Sequence, residues 1–152
     1  MADYLRSGDY HPVPSVETIS NAMDVSNPSN SIRIQEMFEN FDTLSSFLSS
    51  YSFDDYQTIE IVKEIYNNKI YIMDPHGAVG YLGLKKYLKN KPNKIGVFLE
   101  TAHPIKFSKH IENTIDVKLK IPKKINKILS KNKKYIDIEN YNDFKKKILN
   151  MY

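Results

Sequence analysis

Apolar residues return every three or four positions over 56–66, where Tyr56, Ile59, Val62, Ile65 and Tyr66 fall on one face of a predicted helix. Asp54 and Asp55 stand before it and suit the positive end of the helix dipole, and Asn67-Asn68 closes it. At Ile70-Tyr71-Ile72-Met73 the period is lost. This short apolar run stops at Asp74-Pro75, where Asp74 suits an N-cap and Pro75 the first turn of a helix reaching about residue 90. Lys91-Pro92-Asn93 is turn chemistry, and Ile95-Gly96-Val97-Phe98-Leu99 is a second apolar run. A strand, a helix and a strand with no hairpin turn predict a parallel, right-handed crossover unit. Gly77, Gly80 and Gly83 lie three apart on one stripe of its helix and are expected to let that helix lie close against the sheet.

The flanks carry weaker patterns. Residues 3–7 read as a helix closed by Gly8, and His11-Pro12-Val13-Pro14 forces an extended segment. Asn27-Pro28-Ser29-Asn30 is a turn in which Ser29 or Asn30 caps a helix through Ile32, Met37 and Phe38, and a second helical stretch covers about 41–50. Past the second run, a short helix is expected at 106–112. Pro122 starts a Lys-rich helix with Ile125, Ile128 and Leu129, Tyr135-Ile136-Asp137-Ile138 reads as an edge strand, and Asn142 opens a last helix with Phe144, Ile148 and Leu149. The expected fold class is α/β: a partial parallel sheet flanked by helices, in one unit over 1–152. Within it, 1–68 is mainly helical, 69–112 is the strand–helix–strand core and 113–152 a basic helical tail.

A chain of 152 residues can bury one core. It has no Cys, which excludes disulfides, thiolate metal sites and cysteine nucleophiles, and no apolar run approaches the ~20 residues of a membrane span. The expected setting is intracellular. The net charge of +4 is unevenly placed: residues 1–104 carry 9 basic and 13 acidic side chains, and 105–152 carry 13 Lys and 5 acids. That tail suggests nucleic acid, but 20 of the 22 basic residues are Lys. Groove and phosphate readers lean on bidentate Arg and, for single strands, on interleaved aromatic platforms, so no nucleic-acid partner is expected.

In an open parallel sheet, ligands bind beyond the carboxyl ends of the strands. Here those ends read Met73-Asp74-Pro75-His76 and Leu99-Glu100-Thr101-Ala102-His103-Pro104, so Asp74, His76, Glu100, Thr101 and His103 are candidates to converge on one rim. A plainer reading stands beside this one: Asp74 and Thr101 are N-caps, both His are satisfied by backbone carbonyls, and Glu100 is solvated. Two His without further ligands do not make a metal site, and no metal is expected. The chain has no Gly-rich phosphate cradle, no nucleophile elbow and no HExxH. An active site built from it alone is incomplete, and no catalytic residue is assigned.

The segment Ser20-Asn21-Ala22-Met23-Asp24-Val25, then Asn27-Pro28-Ser29-Asn30, then Asp74-Pro75-His76 with Ala78-Val79, then Thr101-Ala102-His103-Pro104 with Lys106-Phe107, resembles the C-terminal part of threonine synthase in order and spacing. The likeness is to the longer bacterial and fungal form and runs from about Tyr4 to Phe144. It implies the C-terminal portion of a tryptophan synthase β-like fold and a pyridoxal 5'-phosphate enzyme of the cytoplasm that converts O-phosphohomoserine and water to L-threonine and phosphate. It also implies that Thr101 matches the hydroxyl residue that hydrogen-bonds the cofactor's ring nitrogen. Asp74, His76, His103, Ser20, Asn21 and Asp24 are expected to line the same pocket. Three positions depart from the pattern: Gly77 stands where relatives often have Thr or Ala, Ser26 where Gly is common, and Ile105 where Ala is usual.

By the same resemblance, the Schiff-base lysine and the loop for the cofactor phosphate belong to an N-terminal part, in the same or a separate chain, and Met1-Ala2-Asp3 is expected to be a start inside a longer reading frame. This chain alone is therefore expected to be inactive. The alternative is a non-catalytic, degraded remnant that acts, if at all, by associating with another protein.

Overall fold

The computed structural model describes residues 1–21, 23 and 25–150. Its helices are α1 (Ala2–Ser7), α2 (Ser31–Glu36), α3 (Phe41–Phe47), α4 (Asp55–Lys69), α5 (Pro75–Leu88), α6 (Ser108–Ile115), α7 (Lys123–Leu129) and α8 (Tyr141–Leu149), with a 3-10 turn at Pro104–Phe107 ahead of α6. Two compact units result, Met1–Leu119 and Lys120–Tyr152.

In the first unit α4 is the hub, packing on both α5 and α6. A capping box starts it: Gln57 N–H donates to Asp54 Oδ1 at 2.8 Å, and Asp54 N–H donates back to Gln57 Oε1 at 3.1 Å. It runs past Asn67-Asn68 to Lys69 and ends on Ile70, whose left-handed φ of 53° is rare for a β-branched residue. Ile61 and Val62 from α4 meet Met73 and Ala78 in the core, and Ile65, Tyr81, Leu82, Phe98 and Ile115 close over them. No helix among the described residues is long and apolar enough to cross a membrane.

The expected partial parallel sheet is absent: no residue among those described forms a β-strand. The run 70–73 starts on the left-handed Ile70, and neither it nor 95–99 lies beside a strand that takes up its backbone N–H and C=O groups, so no sheet forms. The period of two is nevertheless real in 95–99. Gly96 and Phe98 turn onto α5, with Gly96 against Leu84 and Leu88 and Phe98 edge-on to Tyr81 at 5.4 Å. Ile95, Val97 and Leu99 point away and are 97%, 83% and 74% exposed. The segment at 135–138 is likewise unpaired, with Tyr135 and Ile136 exposed.

The glycine stripe of α5 also has a different use. Gly77 faces the Glu100 carboxyl, Gly80 faces open space, and Gly83 approaches only Tyr51, at 3.7 Å. In the second unit, Asn140 rather than Asn142 caps α8, its side chain accepting from Asp143 N–H at 3.1 Å. Ile128, Leu129, Phe144 and Leu149 of α7 and α8 stay exposed.

Candidate functional site

The first turn of α5 organises the candidate residues. Asp74 is fully buried, and its Oδ1 accepts from His76 N–H at 2.9 Å and Gly77 N–H at 3.3 Å, with Pro75 completing the turn without a donor to satisfy. His76 turns outward, and its Nδ1 lies 2.8 Å from the Ser20 carbonyl oxygen. A carbonyl only accepts, so that ring nitrogen carries the proton. The segment before α2 is thereby tied to α5, and a second tie runs from Ile19 N–H to the Asp55 carboxylate at 3.2 Å. Asn21 Nδ2 donates to the Val16 carbonyl at 3.0 Å and Thr18 Oγ1 donates to Asn21 Oδ1 at 2.7 Å, which shapes this loop.

Glu100 comes to the same turn from the extended segment. Its carboxyl rests on Gly77, where an added Cβ would lie 2.2 Å from Oε1. Glu100 Oε1 and Asp74 Oδ2 are both buried without a hydrogen-bond partner among the described residues. Burial first, then the adjacent Asp74 carboxyl, push the Glu100 carboxyl up to about 8, while the Asp74 backbone N–H pulls the other way. Tyr71 is raised too, by burial and then by Glu100 and Asp74.

Thr101 and His103 follow directly. The Thr101 side chain is exposed, and no group among the described residues bonds its hydroxyl. His103 is committed: its Nδ1 accepts from Ile105 N–H at 3.1 Å and so caps the 3-10 turn. That turn buries Phe107, whose ring lies tilted beside that of His76 with centroids 6.5 Å apart. Beyond it lies a cavity of about 470 Å³ lined by Asn21, Lys106 and His110 among others.

Of the candidates, Ser20, Asp74 and His76 are joined by hydrogen bonds, and the Glu100 carboxyl comes to the same turn at Gly77. Asn21 lines the neighbouring cavity, whereas Thr101 and His103 stand exposed on the adjoining turn. Asp24 lies outside the described residues. Asp74 is an N-cap and His76 is satisfied by a carbonyl, as the plainer reading had it; Thr101 caps nothing, and Glu100 is half-buried rather than solvated. Lys106, noted only for the resemblance, and His110, not singled out from the sequence, share the cavity wall with Glu17; their i, i+4 spacing behind Thr101-Ala102-His103-Pro104 was the available signal.

The family model "Threonine synthase, C-terminal" matches residues 77–148, from the first turn of α5 through Glu100 and Thr101 to α8. Threonine synthase of Haemophilus influenzae is 39% identical over 124 residues, 82% of this chain and 28% of that protein. The chain belongs to the threonine synthase family, in its C-terminal part. Threonine synthase of Buchnera aphidicola is 38% identical over 122 residues, 80% of this chain and 28% of its own length.

The crystal structure of Escherichia coli threonine synthase matches with a TM-score of 0.82 at 30% identity, over 99% of this chain and 35% of that one. A pyridoxal phosphate-bound threonine synthase from Brucella melitensis matches with a TM-score of 0.67 at 17% identity, over 99% of this chain and 37% of its own, a likeness of fold. The chain thus spans a little over a quarter of the length of the curated threonine synthases it matches.

Proposed function

We propose that this chain supplies the C-terminal portion of a threonine synthase that converts O-phosphohomoserine and water to L-threonine and phosphate in the cytoplasm. The observation that carries the reading is the Thr101 hydroxyl, exposed and unbonded among the described residues on a turn fixed from both sides. Pyridoxal 5'-phosphate fits it on the donor side: a hydroxyl donates to a heteroaromatic nitrogen as readily as it accepts, and as a neutral group it does not hold that nitrogen protonated. When bound, the cofactor supplies an electron sink for the substrate's reacting carbon.

Each neighbour then has a role in holding the turn. His103 keeps the chain bent after Thr101 by accepting from Ile105 N–H. His76 anchors the Ser20 loop, which places Asn21 beside the cavity that Lys106 and His110 share. Two cation-capable side chains on that wall suit the phosphate of the substrate. The lysine that carries the cofactor and the cradle for the cofactor's phosphate have no counterpart among these residues, so they come from an N-terminal portion in the same or another chain. The exposed face of Ile95, Val97 and Leu99 is the apolar surface against which that portion would rest.

Combining the chain with the N-terminal portion of a related synthase and following phosphate release from O-phosphohomoserine tests this. Turnover is expected only in the combination. Turnover by this chain alone, or a stable pair of portions without turnover, contradicts it. The same exposed apolar face favours the second reading, a non-catalytic remnant that associates through it; binding of the N-terminal portion without activity is the result that reading predicts.

A further inference from the structure

Two carboxyl groups come together at the first turn of α5, and although the Asp74 backbone N–H reaches the Glu100 carboxyl, one oxygen of each is left without a donor. Asp74 uses only Oδ1, and its Oδ2 is buried and unpartnered among the described residues. Glu100 arrives from the extended segment with Oε1 buried and unpartnered in the same way. Its carboxyl occupies the place a side chain at 77 would take, where a Cβ would lie 2.2 Å from Oε1 and 2.5 Å from Cδ. Two ionised carboxylates do not share such a site, because the like charges and the lost hydration both oppose it. A single proton satisfies both orphan oxygens.

We propose that Glu100 donates a proton to Asp74 Oδ2, and that this shared proton clamps the segment carrying Thr101 to the first turn of α5. The proton belongs to Glu100 because Asp74 already accepts two backbone N–H bonds at the positive end of the helix, which favours Asp74 as the anion. The Glu100 carboxyl is accordingly pushed up to about 8, by burial first and Asp74 second, and no Lys, Arg or His contributes to that shift. From the segment before α5, Tyr71 is the other titratable group that faces the pair; with its phenol raised, it brings no charge near neutral pH. Gly77 is the geometric condition, since any larger residue displaces the Glu100 carboxyl. Glu100 is thus a positioning residue. The clamp stands on this chain's own geometry, and only its consequence for Thr101 rests on the cofactor reading above.

Carbon-13 NMR of the full chain with labelled Asp and Glu carboxyls tests the clamp. One Glu resonance, assigned by its loss in Glu100→Gln, is expected to titrate near 8. In Asp74→Asn it is expected to fall below its wild-type value, because the like charge is gone and an amide donor takes its place, while burial still holds it above the ordinary carboxyl range of about 4–5. The backbone amide shifts of Thr101 and Ala102 are expected to follow the same titration, and to stay constant in Glu100→Gln, whose amide makes the bond at every pH. Titration of Glu100 in the ordinary range, or Thr101 shifts that follow pH equally in Glu100→Gln, overturns the proposal. A reconstituted enzyme indifferent to Thr101 but with the titration intact removes the cofactor reading and leaves the clamp.

Discussion

Asp54 and Asp74 begin neighbouring helices with the same side chain in the same role, yet they do different work. Asp54 is half of a capping box whose other half, Gln57, sits three residues along and exposed at the surface. At the corresponding place after Asp74 stands Gly77, which has no side chain to return. The second half comes instead from Glu100, 23 positions further on, whose carboxyl fills the space Gly77 leaves. The first cap closes on itself and serves only α4. The second joins two distant segments, is buried, and depends on a proton, so a helix terminus becomes a way of holding the turn that presents Thr101.

The comparison breaks most sharply at Gly77. Gly77→Ala is expected to displace the Glu100 carboxyl, the far end of a flexible side chain, and through the lost contact to lower stability by about 1 kcal/mol. This runs against the roughly 1 kcal/mol that Ala gains over Gly inside a helix. In a Glu100→Ala background the same change should reverse sign and stabilise by about 0.5–1 kcal/mol, because the space is then free. Urea unfolding of the four chains measures both effects; equal destabilisation in the two backgrounds would mean the carboxyl does not occupy that place.

A smaller effect separates the caps by pH. A carboxyl raised to about 8 in the folded chain and lying near 4–5 when unfolded binds more proton folded than unfolded between those values. Stability from this group is therefore full below the ordinary carboxyl range, is lost as pH rises through about 8, and changes no further above it. Urea midpoints at pH 5, 7 and 9 should show wild type falling relative to Glu100→Gln across that window. Parallel curves would show that no proton is held. The smallest effect belongs to the exposed cap: Asp54→Ala should cost about 1 kcal/mol, by the same amount at each of those pH values. A pH-dependent loss there would erase the distinction between the two caps.

What the residue pattern conveyed was local. Asp54 and Asp74 as helix starts and the helical period over 56–66 follow from side chains near one another in sequence, and the structure has each of them. The sheet did not follow, because pairing needs a second backbone alongside, and the alternation of Ile95, Val97 and Leu99 says only which face turns from α5. The spacing of Gly77, Gly80 and Gly83 suggested a common packing face, yet only Gly77 meets a close neighbour, and that neighbour is the Glu100 carboxyl, which no local rule could supply. In the candidate site, the motif residues were legible as chemistry, but their bonds were not: His76 to Ser20 and Glu100 to Asp74 link positions far apart in the chain. The proton-holding partner was therefore hidden behind a residue that sequence alone left either converging on a ligand or solvated.

The central claim is that the hydroxyl of Thr101, held on this turn, faces the cofactor. The most direct measurement is kcat for phosphate release from O-phosphohomoserine by this chain reconstituted with an N-terminal portion, comparing Thr101→Ser with Thr101→Val. Retained activity in Thr101→Ser and a loss on the order of 100-fold in Thr101→Val, the scale of removing one well-placed donor, is the predicted result. Equal activity in the two variants would contradict it.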